Sequence, residues 1–283
     1  MRVTINGKKI FIDVEGEKLC HAGAELVEKP TLLLLHGSPG NSDHTVFKPM
    51  FSVLADVAQI VYVDLAGSGR SDDPVDFAFS LESWADDVAE LCSVLEIERP
   101  IVLGNSAGGM VAAVYGIRHS EQAGKIILSS THARLIADRC LKMFQQLGGD
   151  EVREVARQAL VEKGDFDSFM EYARICMPLY NPTPLIRVRH SIFRRKCAEV
   201  FHNLGGIWHV GYSLESLREI TCPTLVIAGQ DDPVTPIEDS HDIVAHLNPE
   251  IVQFESFPNA GHGVWLDNPE RAFSVLREFI TQK

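Results

Sequence analysis

Residues 101–109, Ile-Val-Leu-Gly-Asn-Ser-Ala-Gly-Gly, constrain this chain more tightly than any other stretch. Ile101, Val102 and Leu103 begin a short apolar run of strand type, and Met110 to Ile117 read as a buried helix. Between them the chain turns sharply through Gly104-Asn105-Ser106-Ala107-Gly108. Such a turn brings the helix start against the strand end. A Cβ at Gly104 or Gly108 would collide there, and glycine tolerates the unusual backbone angles required. Ser106 is thereby pushed out at the apex, at the top of whatever sheet the strand joins.

The rest of the chain supplies that sheet. Val3 to Ile5 and Ile10 to Val14 flank Asn6-Gly7, a hairpin signal. Thr31 to Leu35 and Gln59 to Asp64 are continuous apolar runs, typical of strands covered on both faces. A helix is expected over 47–55. Another runs from Ser80, a capping residue, to about Leu95, with Leu81, Trp84, Val88, Leu91 and Leu95 on its apolar face. Lys125 to Ser130 reads as a further buried strand. The rhythm then changes. From about 132 to 217 no strand pattern persists, and helices are expected over 134–147, 151–162, 166–177 and 185–201, broken by glycines and prolines. Strands over 224–229 and 251–257 and helices over 237–247 and 269–280 follow. These elements predict an α/β fold with a mostly parallel, doubly wound sheet. Residues 1–131 and 218–283 would form its core and 132–217 an inserted helical cap over the carboxyl ends of the strands, where ligands bind in such sheets.

Composition narrows the partners. The 283 residues carry a formal net charge of −13, which argues against nucleic acid or an anionic membrane and leaves a small molecule as the expected partner. No apolar run approaches a membrane span of about 20 residues. The start, Met1 to Gly7, is too polar for a signal peptide. The six cysteines, at 20, 92, 140, 176, 197 and 222, form no Cys-x-x-Cys pair, so neither zinc nor a redox motif is expected. A reduced, cytoplasmic protein is the simplest reading. Oligomeric state is left open.

A serine at such an apex, Gly-x-Ser-x-Gly between strand and helix, is a nucleophile elbow. Its hydroxyl needs a base to take its proton. His262, in the glycine-flanked loop Ala260-Gly261-His262-Gly263 after the last strand, is the candidate. His36 is expected to shape its own loop, and His132, His190, His202 and His209 to be surface or packing residues of the insertion. The orienting acid should lie between them in sequence, at a strand end, where both Asp231 and Asp232 stand. An oxyanion hole needs two N–H groups: Ala107 offers one and Ser38, in His36-Gly37-Ser38-Pro39-Gly40, the other, since Pro39 has none. No metal and no cofactor is expected. Asp64 to Ser71 contains Gly-x-Gly but lacks the third glycine of a dinucleotide fingerprint. The basic run 187–196 is either a solvated helix face or an attractor for an acidic substrate group.

Together His36-Gly37-x-Pro39-Gly40, Asp64-x-x-Gly67-x-Gly69-x-Ser71, Gly104-x-Ser106-x-Gly108, Gly229-x-x-Asp232 and Gly261-His262 resemble the α/β-hydrolase family. The first loop, Asp43-His44 and Phe47-Lys48-Pro49 are similar to its proline iminopeptidase-like branch. The resemblance implies a Ser106–Asp232–His262 triad, prefers Asp232 to Asp231, and implies a helical cap. Two residues depart from that branch: Ser38 stands where glycine is usual, and Ala107 where tryptophan is frequent. Aminopeptidases of the branch hold the substrate's free amine with cap carboxylates; Glu162, Glu171 and Glu199 are candidates, with no motif marking any of them. The Gly-Asn-Ser-x-Gly-Gly run also resembles carbon–carbon bond hydrolases. The expected activity is hydrolysis of small esters, lactones or amides through an acyl-enzyme. The alternatives are an aminopeptidase, a carbon–carbon hydrolase and a non-catalytic receptor. Trp208 and Phe193 are the expected substrate contacts in an apolar acyl pocket.

Overall fold

Short strands buried on both faces form the centre of the molecule, for which a computed structural model describes residues 1–23, 25–183 and 191–282. The first hairpin joins β1 (Arg2–Ile5) to β2 (Lys8–Glu15), with Ile5 opposite Lys8. Its turn residues Asn6 and Gly7 have φ of 45° and 75°, the mirror-image geometry that a two-residue turn between twisted strands needs. A separate two-stranded sheet, β3 (Leu19–Ala22) with β4 (Glu25–Glu28), follows. The remaining strands are β5 (Thr31–Leu35), β6 (Gln59–Val63), β7 (Ile101–Asn105), β8 (Lys125–Ser129), β9 (Thr224–Gly229) and β10 (Val252–Phe257). They complete an eight-stranded sheet in the order β1-β2-β6-β5-β7-β8-β9-β10. From β6 to β10 every pairing is parallel; β1 and β2 are antiparallel additions at one edge.

Alternate residues of each central strand feed opposite layers. Leu33, Leu35, Val102 and Leu128 pack with α1 (Leu81–Val94), α2 (Ala107–Arg118) and Ile243. Leu32, Leu34, Leu103 and Ile127 pack on the other side with Phe47, Phe51, Trp265 and the last helix. Both faces are therefore dry, which is why these strands read as unbroken apolar runs. Among the described residues, four α-helices lie between β8 and β9: α3 (Ala137–Arg157), α4 (Phe166–Ile175), α5 (Arg195–His202) and α6 (Ile207–Val210). Cys140, Leu141, Phe144, Ala156 and Tyr172 give this insertion a small core of its own. Helix α3 is broken at Gly149, whose φ is 82°, at the expected junction of two helices. The chain closes with α7 (Ile237–His246), α8 (Val264–Asp267) and α9 (Pro269–Thr281).

Two expectations are corrected. Residues 47–55 form no continuous helix; 3-10 turns at His44–Val46 and Met50–Leu54 flank Pro49, which lacks the N–H a helix interior uses. Of the helix expected over 185–201, the described part begins only at Arg195, and residues 191–194 are not helical. Arg187, Arg189 and His190 of the basic run lie outside the described residues. The β3–β4 hairpin was not expected at all, because Leu19, Leu26 and Val27 are exposed and show no core-facing alternation.

Candidate active site

The elbow has the predicted geometry. Ser106 has φ 56° and ψ −122°, a strained conformation for a non-glycine residue. It is held by four bonds: its N–H donates to the Ser129 carbonyl at 2.9 Å, and its carbonyl accepts from the Gly109 N–H at 2.9 Å, the Met110 N–H at 3.2 Å and the Thr131 hydroxyl at 2.7 Å. A Cβ on Gly108 would lie 2.1 Å from the Leu35 carbonyl oxygen, and one on Gly104 2.0 Å from that of Gly108. The glycines permit this approach of helix to strand.

Asp232 follows β9 and His262 follows β10. The Asp232 carboxylate is wholly buried and accepts four bonds. Oδ1 takes the N–H groups of Val234 at 2.8 Å and Thr235 at 3.0 Å; Oδ2 takes the Thr235 hydroxyl at 2.7 Å and His262 Nδ1–H at 2.9 Å. Asp231 points elsewhere. It is half-buried, and its N–H ties the turn to the Ala260 carbonyl at 2.9 Å. With Nδ1 donating to Asp232, His262 Nε2 is left as the free, basic nitrogen. Ser106 and His262 line one cavity without a direct hydrogen bond between them, a spacing that often tightens only when substrate is bound.

The loop after β5 runs against the serine: a Cβ on Gly37 would lie 2.8 Å from Ser106 Cβ. Among the described residues neither the Ser38 nor the Ala107 N–H has an acceptor. His36 shapes this loop as expected, Nδ1–H donating to the Gly37 carbonyl at 2.9 Å and Nε2 accepting the Leu65 N–H at 3.1 Å. The Asp64–Ser71 loop braces it through a bond from the Gly40 N–H to the Ser68 hydroxyl at 3.0 Å. Asp43, His44 and Asp64 lie close enough together to suggest metal ligands, but protein donors already fill them. Asp64 accepts from the N–H and Nδ1–H of His44 and from the Arg70 N–H; Asp43 accepts from Thr45 and from the Ile192 N–H.

The cavity measures about 830 Å³. Trp208 and Phe193, the two expected substrate contacts, line it, with Phe166, Phe169 and Met177. Among the described residues that line it there is no Asp, Glu, Lys or Arg. The undescribed residues 184–190 contain no carboxylate either. Glu162, Glu171 and Glu199 instead pair with Arg157, Arg174 and Arg195. Arg194 pairs with Asp73 at 2.8 Å, and Lys196 lies over the Phe77 ring.

His202, expected to be a surface or packing residue, is corrected to a cavity residue, and Tyr180, Asn181 and Asp267 were not singled out in the sequence. His202 reaches from α5 into the cavity and hydrogen-bonds the Ser38 hydroxyl at 3.2 Å; burial pushes its pKa down to about 4, so it is neutral at ordinary pH. Tyr180 and Asn181, from the insertion, and Asp267, from α8, hold the His262 loop. Only the short Thr235 spacing from Asp232 offered a signal in sequence.

Comparison with known proteins agrees with this architecture. A profile described as "alpha/beta hydrolase fold" matches residues 30–269, well over half of the chain. The chain belongs to the α/β-hydrolase fold family. This α/β-hydrolase is 27% identical to a proline iminopeptidase of Lactobacillus helveticus (strain DPC 4571) over 302 aligned residues, 98% of each protein. It is 23% identical to the 2-hydroxymuconate semialdehyde hydrolase of Pseudomonas sp. (strain CF600), covering 89% of this chain and 87% of the relative. The crystal structure of a proline iminopeptidase from Mycobacterium smegmatis superposes with a TM-score of 0.78 at 22% identity, over 99% and 97% of the two chains. Hydrolase chemistry goes with this membership, and Ser106, Asp232 and His262 follow β7, β9 and β10.

Proposed function

We propose that this α/β-hydrolase is a serine hydrolase that cleaves small, uncharged esters, lactones or amides through an acyl-enzyme, with Ser106 as nucleophile, His262 as base and Asp232 as its orienting acid. The observation that carries the reading is the 2.9 Å bond from His262 Nδ1 to a fully buried Asp232, beside the cavity that Ser106 also lines. His262 Nε2 takes the Ser106 proton as Oγ attacks the carbonyl. Asp232 stabilises the imidazolium that forms. The Ser38 and Ala107 N–H groups stabilise the oxyanion, Ala107 with the help of the α2 N-terminus. The imidazolium returns its proton to the leaving group. Water, deprotonated by the same nitrogen, then attacks the acyl-enzyme, and Ser106 recovers its proton as the acid departs.

The substrate class follows from charge. A prolyl aminopeptidase must hold a cationic amine in a partly dry pocket, and an unpaired buried cation costs several kcal/mol. The described lining supplies no carboxylate for it. Its aromatic and thioether side chains suit an apolar acyl or alkyl group instead. The measurement is kcat/KM for p-nitrophenyl esters and acyl-lactones against prolyl-naphthylamide, at about pH 8 where a histidine base is neutral. The neutral substrates are expected to win. A prolyl substrate better by more than about tenfold, or 1.4 kcal/mol of transition-state stabilisation, overturns the substrate class.

A further inference from the structure

The backbone of the base's loop is held from outside its own layer. The Gly261 N–H donates to Asp267 Oδ2 at 2.8 Å, in α8. The next two contacts come from the insertion between β8 and β9. The His262 N–H donates to the Tyr180 carbonyl at 2.8 Å, and the Gly263 carbonyl accepts from Asn181 Nδ2 at 3.2 Å. That same Nδ2 donates to Asp267 Oδ2 at 2.6 Å, and Asp267 Oδ1 accepts the Thr183 N–H at 2.9 Å. The approach is close: a Cβ on Gly261 would fall 1.9 Å from the Tyr180 carbonyl oxygen. Asn181 is 8% exposed and lines the cavity.

One amide nitrogen thus satisfies two acceptors, the half-buried Asp267 carboxylate and the buried Gly263 carbonyl. Asparagine is suited to this because its nitrogen carries two protons. Leucine carries none, serine one, and an ionised aspartate only repels.

We propose that Asn181 is a positioning residue for His262: by joining Asp267 to the Gly263 carbonyl it fixes the base's loop to the inserted helices, which makes the insertion part of the catalytic frame and not only a cover. The proposal rests on the reading of His262 as the base. Asp232 sets the ring; Asn181 and Tyr180 set the backbone that carries it.

Asn181→Leu removes the bridge. A displacement of the base by about 1 Å costs on the order of 10²-fold, so kcat falls by about 10- to 100-fold while KM changes little. Asn181→Asp is the sharper test. Two carboxyls at hydrogen-bond distance in a half-buried site share a proton until higher pH than a lone carboxyl, because like charges that close resist ionising together. Sharing one proton, the pair restores the link to Asp267; fully ionised, it pushes the loop away. For an enzyme with a neutral histidine base, kcat/KM is expected to fall on acidification and to level off on the alkaline side. Asn181→Asp is expected to lose activity on the alkaline side as well, giving a bell. A merely structural role would lower stability and leave the shape of the profile unchanged.

The wild type, both variants and Arg174→Ala are assayed on the same neutral ester. Arg174 pairs with Glu171 on the exposed face of α4 and serves as a cap control expected to retain full activity. Asn181→Ser keeps one donor in a smaller side chain and carries the test if the larger changes prevent folding; its kcat should fall at least about fivefold at unchanged KM. An alkaline plateau in Asn181→Asp like that of the wild type, or a wild-type kcat in Asn181→Leu or Asn181→Ser, overturns the proposal. If turnover of the same ester survives Ser106→Ala, it is the underlying reading of the site that fails, independently of Asn181.

Discussion

Asp231 and Asp232 are neighbours in sequence and opposites in environment. Asp232 receives four hydrogen bonds in complete burial, one of them from the candidate base, whereas Asp231 is half-buried at the turn. Asp232→Asn leaves the shape intact but cannot accept the Nδ1–H in the same way, and kcat should drop by about 10⁴, as in the worked serine-protease case. Asp231→Asn should stay near wild type; steady-state kinetics of both variants rank the two, and the reverse ranking would transfer the role to Asp231. His132 sets a different residue-scale expectation. Its ring packs at a tilt against Trp208 with centroids 3.9 Å apart, and neither ring nitrogen has a partner among the described residues. Burial pushes its pKa down to about 3. An unfolded histidine titrates at about 6.5, so the unfolded chain takes up this proton first as pH falls. Stability from keeping His132 neutral is therefore complete above about pH 6.5 and declines below it, by about 2 kcal/mol at pH 5. His132→Phe keeps a ring against Trp208 and removes the titration. Thermal melts from alkaline to acid pH should fall less steeply for it than for the wild type; parallel loss would mean that the ring is not buried in its neutral form.

At the scale of elements, the elbow is the least forgiving. A Gly108→Ala methyl meets backbone, the Leu35 carbonyl at 2.1 Å, and nothing there yields cheaply. It should cost about 4 kcal/mol or more, or prevent folding. Gly7→Ala, in the first hairpin, meets open space and carries only the strain of its positive φ, about 1 to 2 kcal/mol. Denaturant melts of the two variants check that contrast; equal losses would contradict the packing described for the elbow. The same contrast explains what the sequence made legible. Strands covered on both faces announce themselves as apolar runs, and the glycine spacing of residues 104–108 marks the elbow. Residues 47–55 misled because apolar content suggested a helix through Pro49. The β3–β4 hairpin was invisible because it buries little. Asn181 gave no signal: it sits between Pro178 and Pro182 in a stretch without periodicity, and its partners Gly263 and Asp267 are 82 and 86 residues away. Spacing reveals chemistry only where local geometry dictates it.

Across the whole molecule, the parallel order of β6-β5-β7-β8-β9-β10 brings the ends of β5, β7, β9 and β10 to one side, which places loops far apart in sequence around one cavity. The molecule carries a formal charge of −13, yet no Asp, Glu, Lys or Arg is among the described residues that line this cavity. Among the described residues no helix is long and apolar enough to cross a membrane. The described cavity lining is thus free of the charge that the rest of the molecule carries, which is what supports the proposed uncharged substrates. The central claim is that one serine at the elbow carries the reaction. It is tested most directly by treating the wild type and Ser106→Ala with a fluorophosphonate probe, mapping the labelled peptide by mass spectrometry, and measuring turnover of a neutral ester by the same samples. The account predicts that the probe is found on Ser106 and abolishes turnover, and that Ser106→Ala melts like the wild type with neither labelling nor turnover. Wild-type turnover in Ser106→Ala, or inactivating label on another residue, would contradict it.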